Sequence, residues 1–217
     1  MKVNNYPLKT PVAGDKLFGS DSNGDQKQFD MSAVSNNVFQ YEIGQYVADE
    51  GGVIAHRWLS TTAGGYPETG SFENYLVVDT TDLSLSASWA TSNVNISSSQ
   101  STFNGLTNTS NLITAGSGSG ITAGTAAVLC NSSTNNGKTD WYLPAIDELN
   151  VIFNNRWAIS QALSVVSGAT NFGFDRYWSS TQSGSTTAWY LSFNSSSIAS
   201  DTKGNAFFVR AIRKFSI

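Results

Sequence analysis

A chain of 217 residues with a formal charge of −4 has room for one sizeable domain and a small appendage. Only 13% of its residues are charged and no run of Lys or Arg occurs, which excludes nucleic-acid binding by phosphate neutralisation, a mode that needs a clustered basic footprint. Abundant Ser, Thr, Asn and Gly suit a β- and loop-rich extracellular or virion protein better than a cytosolic enzyme.

Residues 1–10 carry no apolar h-region, and no stretch approaches the roughly 18 apolar residues of a membrane span. The expectation is a chain that neither enters a membrane nor directs its own export. Residues 11–20 and 27–31 read as extended runs around Asp21-Ser-Asn-Gly-Asp25, where Asn23-Gly24 is a hairpin signal. A short helix is expected over residues 30–34. This block has little apolar content to bury alone and should need partners. The organisation read from the sequence is therefore 1–37 as an attachment and oligomerisation segment and 38–217 as the main domain.

Within that domain, residues 39–47 and 52–59 are expected as strands flanking a turn at 49–52, and 74–78 as another strand. Residues 84–120 are rich in Ser, Asn, Thr and Gly, with Trp89 and Phe103 as isolated anchors. A first helix is expected over 122–130, with Cys130 as a small buried hydrophobe. In Asp140-Trp-Tyr-Leu-Pro-Ala-Ile-Asp-Glu-Leu149, a short strand at 141–143 runs into a helix over 145–154. Pro144 sets φ for its first turn, Asp147 and Glu148 favour its positive end, and Leu149, Ile152 and Phe153 recur at helical spacing. A third helical piece follows at 159–163. Tyr177-Trp-Ser-Ser-Thr181, Ala188-Trp-Tyr-Leu-Ser-Phe193 and Phe207-Phe-Val-Arg-Ala-Ile-Arg213 are aromatic, β-prone runs. Short helices and antiparallel strands without a βαβ rhythm define an α+β class.

Catalytic signals are sparse. His56 is the single histidine and Cys130 the single cysteine, too few for a nucleophile triad with its base or for the usual zinc ligand set. Residues 21–25 alternate oxygen ligands but lack the glycine and the Glu of a calcium loop, the latter position being Ser32. Gly116-Ser-Gly-Ser-Gly120 lacks the flanks of a phosphate cradle, and Asp147 and Glu148, adjacent on a helix, point apart. No catalytic residue, cofactor or metal is expected. Trp141, Trp178 and Phe193 are assigned to the core, and of Trp189 and Tyr190 one should be core and one outward. The candidate ligand-binding residues are Phe172, Phe174, Arg176, Tyr190, Asn194 and Asn205.

The ordered series Asp-Trp-Tyr-Leu-Pro-x-x-Asp-Glu-Leu, Tyr-Trp-Ser-Ser-Thr, Ala-Trp-Tyr and Val-Arg-x-x-Arg resembles the Lcl C-terminal domain family, a C-type-lectin-like module of bacterial adhesins and phage-encoded proteins. The resemblance covers roughly residues 41–215 and includes Gly105-Leu-Thr-Asn-Thr109, which argues that the loop-like stretch 84–120 is ordered. It implies a C-type-lectin-like fold of short helices on antiparallel strands with long loops. The sugar-binding tripeptides of calcium-dependent lectins and the cysteine pair of the formylglycine-generating enzymes are missing, which leaves a binding role and makes an enzyme of that fold a remote alternative. The resemblance extends to variable proteins of diversity-generating retroelements, whose display region would correspond to about 171–205.

Gly14-Asp-Lys-Leu-Phe-Gly-Ser-Asp-Ser22 followed by Lys27-Gln-Phe29 is similar to an N-terminal segment of phage tail and fibre proteins. By that likeness Leu17, Phe18, Phe29 and Met31 are the attachment and oligomerisation residues. The expectation is a virion protein, a head or tail fibre subunit assembled in the host cytoplasm. It would be a homo-oligomer, a trimer, contacting other virion proteins through residues 1–37 and a host-surface glycan or protein through its lectin-like domain. A bacterial surface adhesin, extracellular or at the cell surface, is the alternative.

Overall fold

The computed structural model describes residues 16–20, 26–30, 39–65, 67 and 70–217, and the chain divides into two units, Met1–Gln40 and Tyr41–Ile217. In the first unit β1 (Lys16–Ser20) pairs antiparallel with β2 (Gln26–Asp30), setting Leu17 opposite Phe29 and Phe18 opposite Gln28. The Asn23-Gly24 turn, Ser32, Met31 and the helix expected after Asp30 lie outside the described residues.

The second unit is α+β, with two sheets and four α-helices among the described residues. One sheet has the order β11-β5-β4-β3, formed by β3 (Tyr46–Val47), β4 (Gly52–Ser60), β5 (Phe72–Asp79) and the C-terminal β11 (Ile212–Ser216). Residues 74–79 of β5 are buried without interruption, as a strand covered on both faces requires. The second sheet has the order β6-β10-β7-β8-β9: β6 (Ser84–Ser88), β7 (Arg176–Gln182), β8 (Thr187–Ser192), β9 (Ile198–Thr202) and β10 (Ala206–Val209). Its pairs are antiparallel except β10 with β7, which touch in parallel at Phe208 and Tyr177.

Four helices complete the unit: α1 (Gly105–Ala115), α2 (Ala126–Asn131), α3 (Ile146–Asn154) and α4 (Arg156–Leu163). The amphipathic spacing of α3 turns Ile146, Leu149, Ile152 and Phe153 into one core cluster with β4, β5, β7 and β8, and Ile159 and Leu163 of α4 close it. Trp141, Trp178 and Phe193 are buried, as the sequence predicts, and so is Cys130, whose thiol pKa burial pushes well up.

Several boundaries differ from the sequence reading. The strand expected over 39–47 shrinks to β3, because Gly44 adopts a positive φ and residues 42–45 close a turn through Gln45 N–H to Glu42 O. The turn at 49–52 is present, with Gly51 left-handed at φ 75°. Residues 105–115, read as loop, form α1. Its sequence is poor in apolar residues, and its support is polar: Asn104 Oδ1 accepts from Thr107 N–H at 3.1 Å, while buried Asn108 and Thr109 bond to Ser101 O and Leu143 O.

The next helix begins at Ala126, not Thr122, since Thr122 O accepts both the N–H and the hydroxyl of Thr125 and Gly124 has a positive φ. Residues 141–143 contribute a single bridge, Tyr142 with Ile212. Pro144 stands outside α3: Ala145 is extended at ψ 165°, and Pro144 O accepts from Ser180 N–H.

Candidate functional site

The motif residues first build a scaffold of ionic contacts in which Glu148, Arg210 and Arg213 are buried. Arg213 holds Asp140 through two bonds, Nε to Oδ1 at 2.7 Å and an Nη to Oδ2 at 2.9 Å, and also bonds Glu50. Arg210 is almost wholly buried and donates to Asp82 Oδ1 at 2.6 Å, Asp79 O at 2.9 Å and Thr170 O at 3.0 Å. Burial raises the Asp82 carboxyl pKa and the neighbouring Arg210 guanidinium opposes the rise.

Glu148 is the counterpart on α3. Its Oε2 accepts from Ala145 N–H at 2.9 Å and Gly105 N–H at 3.1 Å, and its Oε1 meets the Tyr142 hydroxyl at 3.1 Å and Lys214 Nζ at 2.7 Å. Thus one carboxylate stitches the starts of α1 and α3 to β11. Gly105 is required by that approach: a Cβ there would stand 2.4 Å from Glu148 Oε2 and 2.5 Å from Ala145 N. Asp147, its neighbour, is exposed, so the two carboxylates do face apart.

The hydroxyls of Tyr177-Trp-Ser-Ser-Thr181 have similar work. Thr181 Oγ1 donates to Ser101 O and accepts from Ile146 N–H, and Ser179 Oγ donates to Trp189 O. These bonds, with Trp89 Nε1 donating to Ser179 O, hold the polar stretch 84–120 in place. That stretch is ordered into β6, α1 and short 3₁₀ turns.

On this scaffold the outer surface of β7, β8 and β9 gathers three of the six predicted ligand residues. Arg176 reaches Asp201 Oδ2 at 3.2 Å, and its guanidinium lies 4.8 Å from the Phe207 ring centroid and 5.6 Å from that of Tyr190. Asn205 Nδ2 donates to Asp201 Oδ1 at 2.8 Å. Asp201, absent from the sequence prediction, joins these groups; only the pairing of β8 with β9 brings it there.

Phe174 and Asn194 are exposed at the adjoining end of the β7–β8 pair, where Phe193 N–H donates to Asp175 O. Phe174 is 86% exposed, a conspicuous apolar ring in water. Phe172 is instead half-buried against Phe193 and Tyr177, with the Arg210 guanidinium 4.8 Å from its centroid. Trp189 packs on the core cluster and Tyr190 on Trp178 and Phe207, so each is half-buried on its own side of β8. His56 is half-buried in β4 and stacks on Trp58, and burial lowers its pKa. Among the described residues no group of three or more His, Cys, Asp or Glu could hold a metal ion.

These features define an α+β module in which buried charged side chains bond across the loops and a polar, partly aromatic sheet surface faces outward. Residues 79–213 match the Lcl C-terminal domain, and the chain belongs to that family. The match contains Arg210 with its Asp82, Asp79 and Thr170 partners, the Asp140–Arg213 pair and the whole β7–β9 surface. No curated protein matches the chain.

Proposed function

We propose that this chain is a non-enzymatic phage virion protein, a head or tail fibre subunit whose C-type-lectin-like domain binds a host-surface glycan or protein. The observation that carries the binding role is the Arg176–Asp201–Asn205 cluster beside the Tyr190 and Phe207 rings. The half-buried Tyr190 ring offers stacking area, the amide and guanidinium offer donors, and their mutual contacts order them before a ligand arrives, which reduces the entropy cost of binding. The virion assignment is supported by the fibre-like residues 14–29, whose two strands pair as a hairpin. On this reading residues 1–37 join copies of the chain, as a trimer, to other virion proteins.

Light scattering on the full chain tests the assembly, with a trimer expected; a monomer at all concentrations would remove the fibre reading. Binding of the full chain to host cells tests the surface: Arg176→Ala with Asn205→Ala should lower binding by about tenfold or more. Unchanged binding would clear this surface of the role. A bacterial surface adhesin is the second reading, favoured by the family match itself, which spans residues 79–213 and leaves the fibre-like residues 14–29 outside.

A further inference from the structure

A concavity of about 580 Å³ lies on the four-stranded side of the module, between β4, β11, α1 and the first turns of α3. None of the residues of β7–β9 lines it. Its walls are chiefly carbon, from Trp58, Leu76, Phe103, Leu106, Val151 and Phe215. Phe103 and Leu106 are each 52% exposed and stand outside the core cluster. One exposed leucine is ordinary; several apolar groups around one hollow of this size have the character of a binding cleft.

The lining of the cleft narrows the ligand chemistry, because carbon predominates and several of its polar atoms are already engaged. Trp58 Nε1 donates to Gly65 O at 2.7 Å, Asn104 Oδ1 caps α1, and Ser216 Oγ donates to Asn74 Oδ1 at 2.7 Å. A saccharide laid against the six apolar side chains would bury hydroxyls away from polar partners, and leaving them unpaired is costly. An apolar side chain makes no such demand.

Charge then selects what stands beside that side chain. The Lys214 ammonium is neutralised by Glu148 at 2.7 Å, and His56, its pKa lowered by burial, is uncharged at neutral pH. Asp147 lines the cleft, is exposed, and makes no ion pair among the described residues. The cleft therefore presents one uncompensated negative charge at its edge, which favours a basic neighbour and repels an acidic one.

We infer that this cleft is a docking site for a partner polypeptide, receiving an aromatic or aliphatic side chain while an adjacent lysine or arginine pairs with Asp147. The site is distinct from the β7–β9 surface, so one module could hold a ligand at each.

The experiment screens the labelled full chain against random, terminally blocked hexapeptides on beads, in parallel with Leu106→Glu and Asp147→Lys. Both side chains are exposed, and circular dichroism checks that both variants fold. Selected peptides should pair an apolar residue with Lys or Arg and bind Leu106→Glu about tenfold or more weakly. Asp147→Lys should keep the apolar preference and exchange the basic one for Asp or Glu. Peptides lacking the apolar–basic pair, or bound equally well by Leu106→Glu, overturn the inference. So do self-association abolished by Leu106→Glu with no peptide selected, which makes the occupant a second copy, and a saccharide that alone shields Trp58 fluorescence from quenching.

Discussion

Arg210 and Arg176 make the same kind of contact in opposite surroundings. Each donates to one aspartate carboxylate and lies near an aromatic ring, yet the side chain of Arg210 is 1% exposed and that of Arg176 45%. Removing one partner of a buried pair strands a charge away from water, whereas a surface pair returns both partners to solvent. The difference separates scaffold from surface: the buried contacts hold the loops, and on the proposed reading the exposed ones are exchanged for contacts with a ligand.

Arg210→Ala should give the largest effect, a loss of about 3–5 kcal/mol in urea unfolding, because Asp82, Asp79 O and Thr170 O lose a common donor. Arg210→Lys should recover little, since an ammonium cannot reach three separated acceptors with the same fork. A cost under about 1 kcal/mol for Arg210→Ala would erase the contrast with Arg176.

Gly105→Ala tests the other end of the scaffold. The new methyl must displace Glu148 from the N–H groups it accepts, and overpacking of this kind costs about 1–3 kcal/mol. The same unfolding measurement reads it, and a neutral result would mean that α1 and α3 shift apart without loss.

Lys203 sharpens the comparison, being a fully buried cation held by neutral oxygens, Val94 O and Gln182 Oε1, each at 2.7 Å. Its ammonium lies 4.6 Å from the Trp89 ring centroid. Burial lowers its pKa from 10.5 to about 8. Between those values the unfolded chain binds more protons than the folded one, so this group adds stability as pH rises through the window and loses it as pH falls through about 8. The stability of the natural chain relative to Lys203→Met should therefore be greater at pH 10 than at pH 7, as read from urea midpoints. An unchanged difference would place the ammonium in contact with water.

Arg176→Ala should have the smallest effect on folding, within about 1 kcal/mol, because both partners are substantially exposed. A larger loss would move Arg176 from surface to scaffold.

Legibility in the sequence followed the kind of signal each region carries. The α3 pattern is periodic and apolar, and its helix is found within a residue of where the sequence puts it. By contrast α1 has few apolar residues in register, and the bonds of its buried Asn108 amide and Thr109 hydroxyl reach Ser101 and Leu143, 7 and 34 residues away. Arg176, Tyr190 and Asn205 were legible as polar and aromatic residues in a β-prone region, but Asp201, which joins two of them, had no distinguishing pattern. The cleft was illegible for a related reason: its walls come from residues 56 to 216, and adjacency between them exists only once α1 lies beside α3.

The sequence by itself determined the α+β class, the family, the aromatic core positions and, to within two residues, the ends of β4, β5, β7 and β8, because alternation, helical spacing and glycine turns act over a few residues. Tertiary structure alone decided what the charged motif residues do. Asp140, Glu148, Arg210 and Arg213 read as conventional polar positions until folding buries the last three and sets half-exposed Asp140 against Arg213. Their partners, as far as 163 residues distant in the case of Glu50 and Arg213, then become the groups that fix the loops in place.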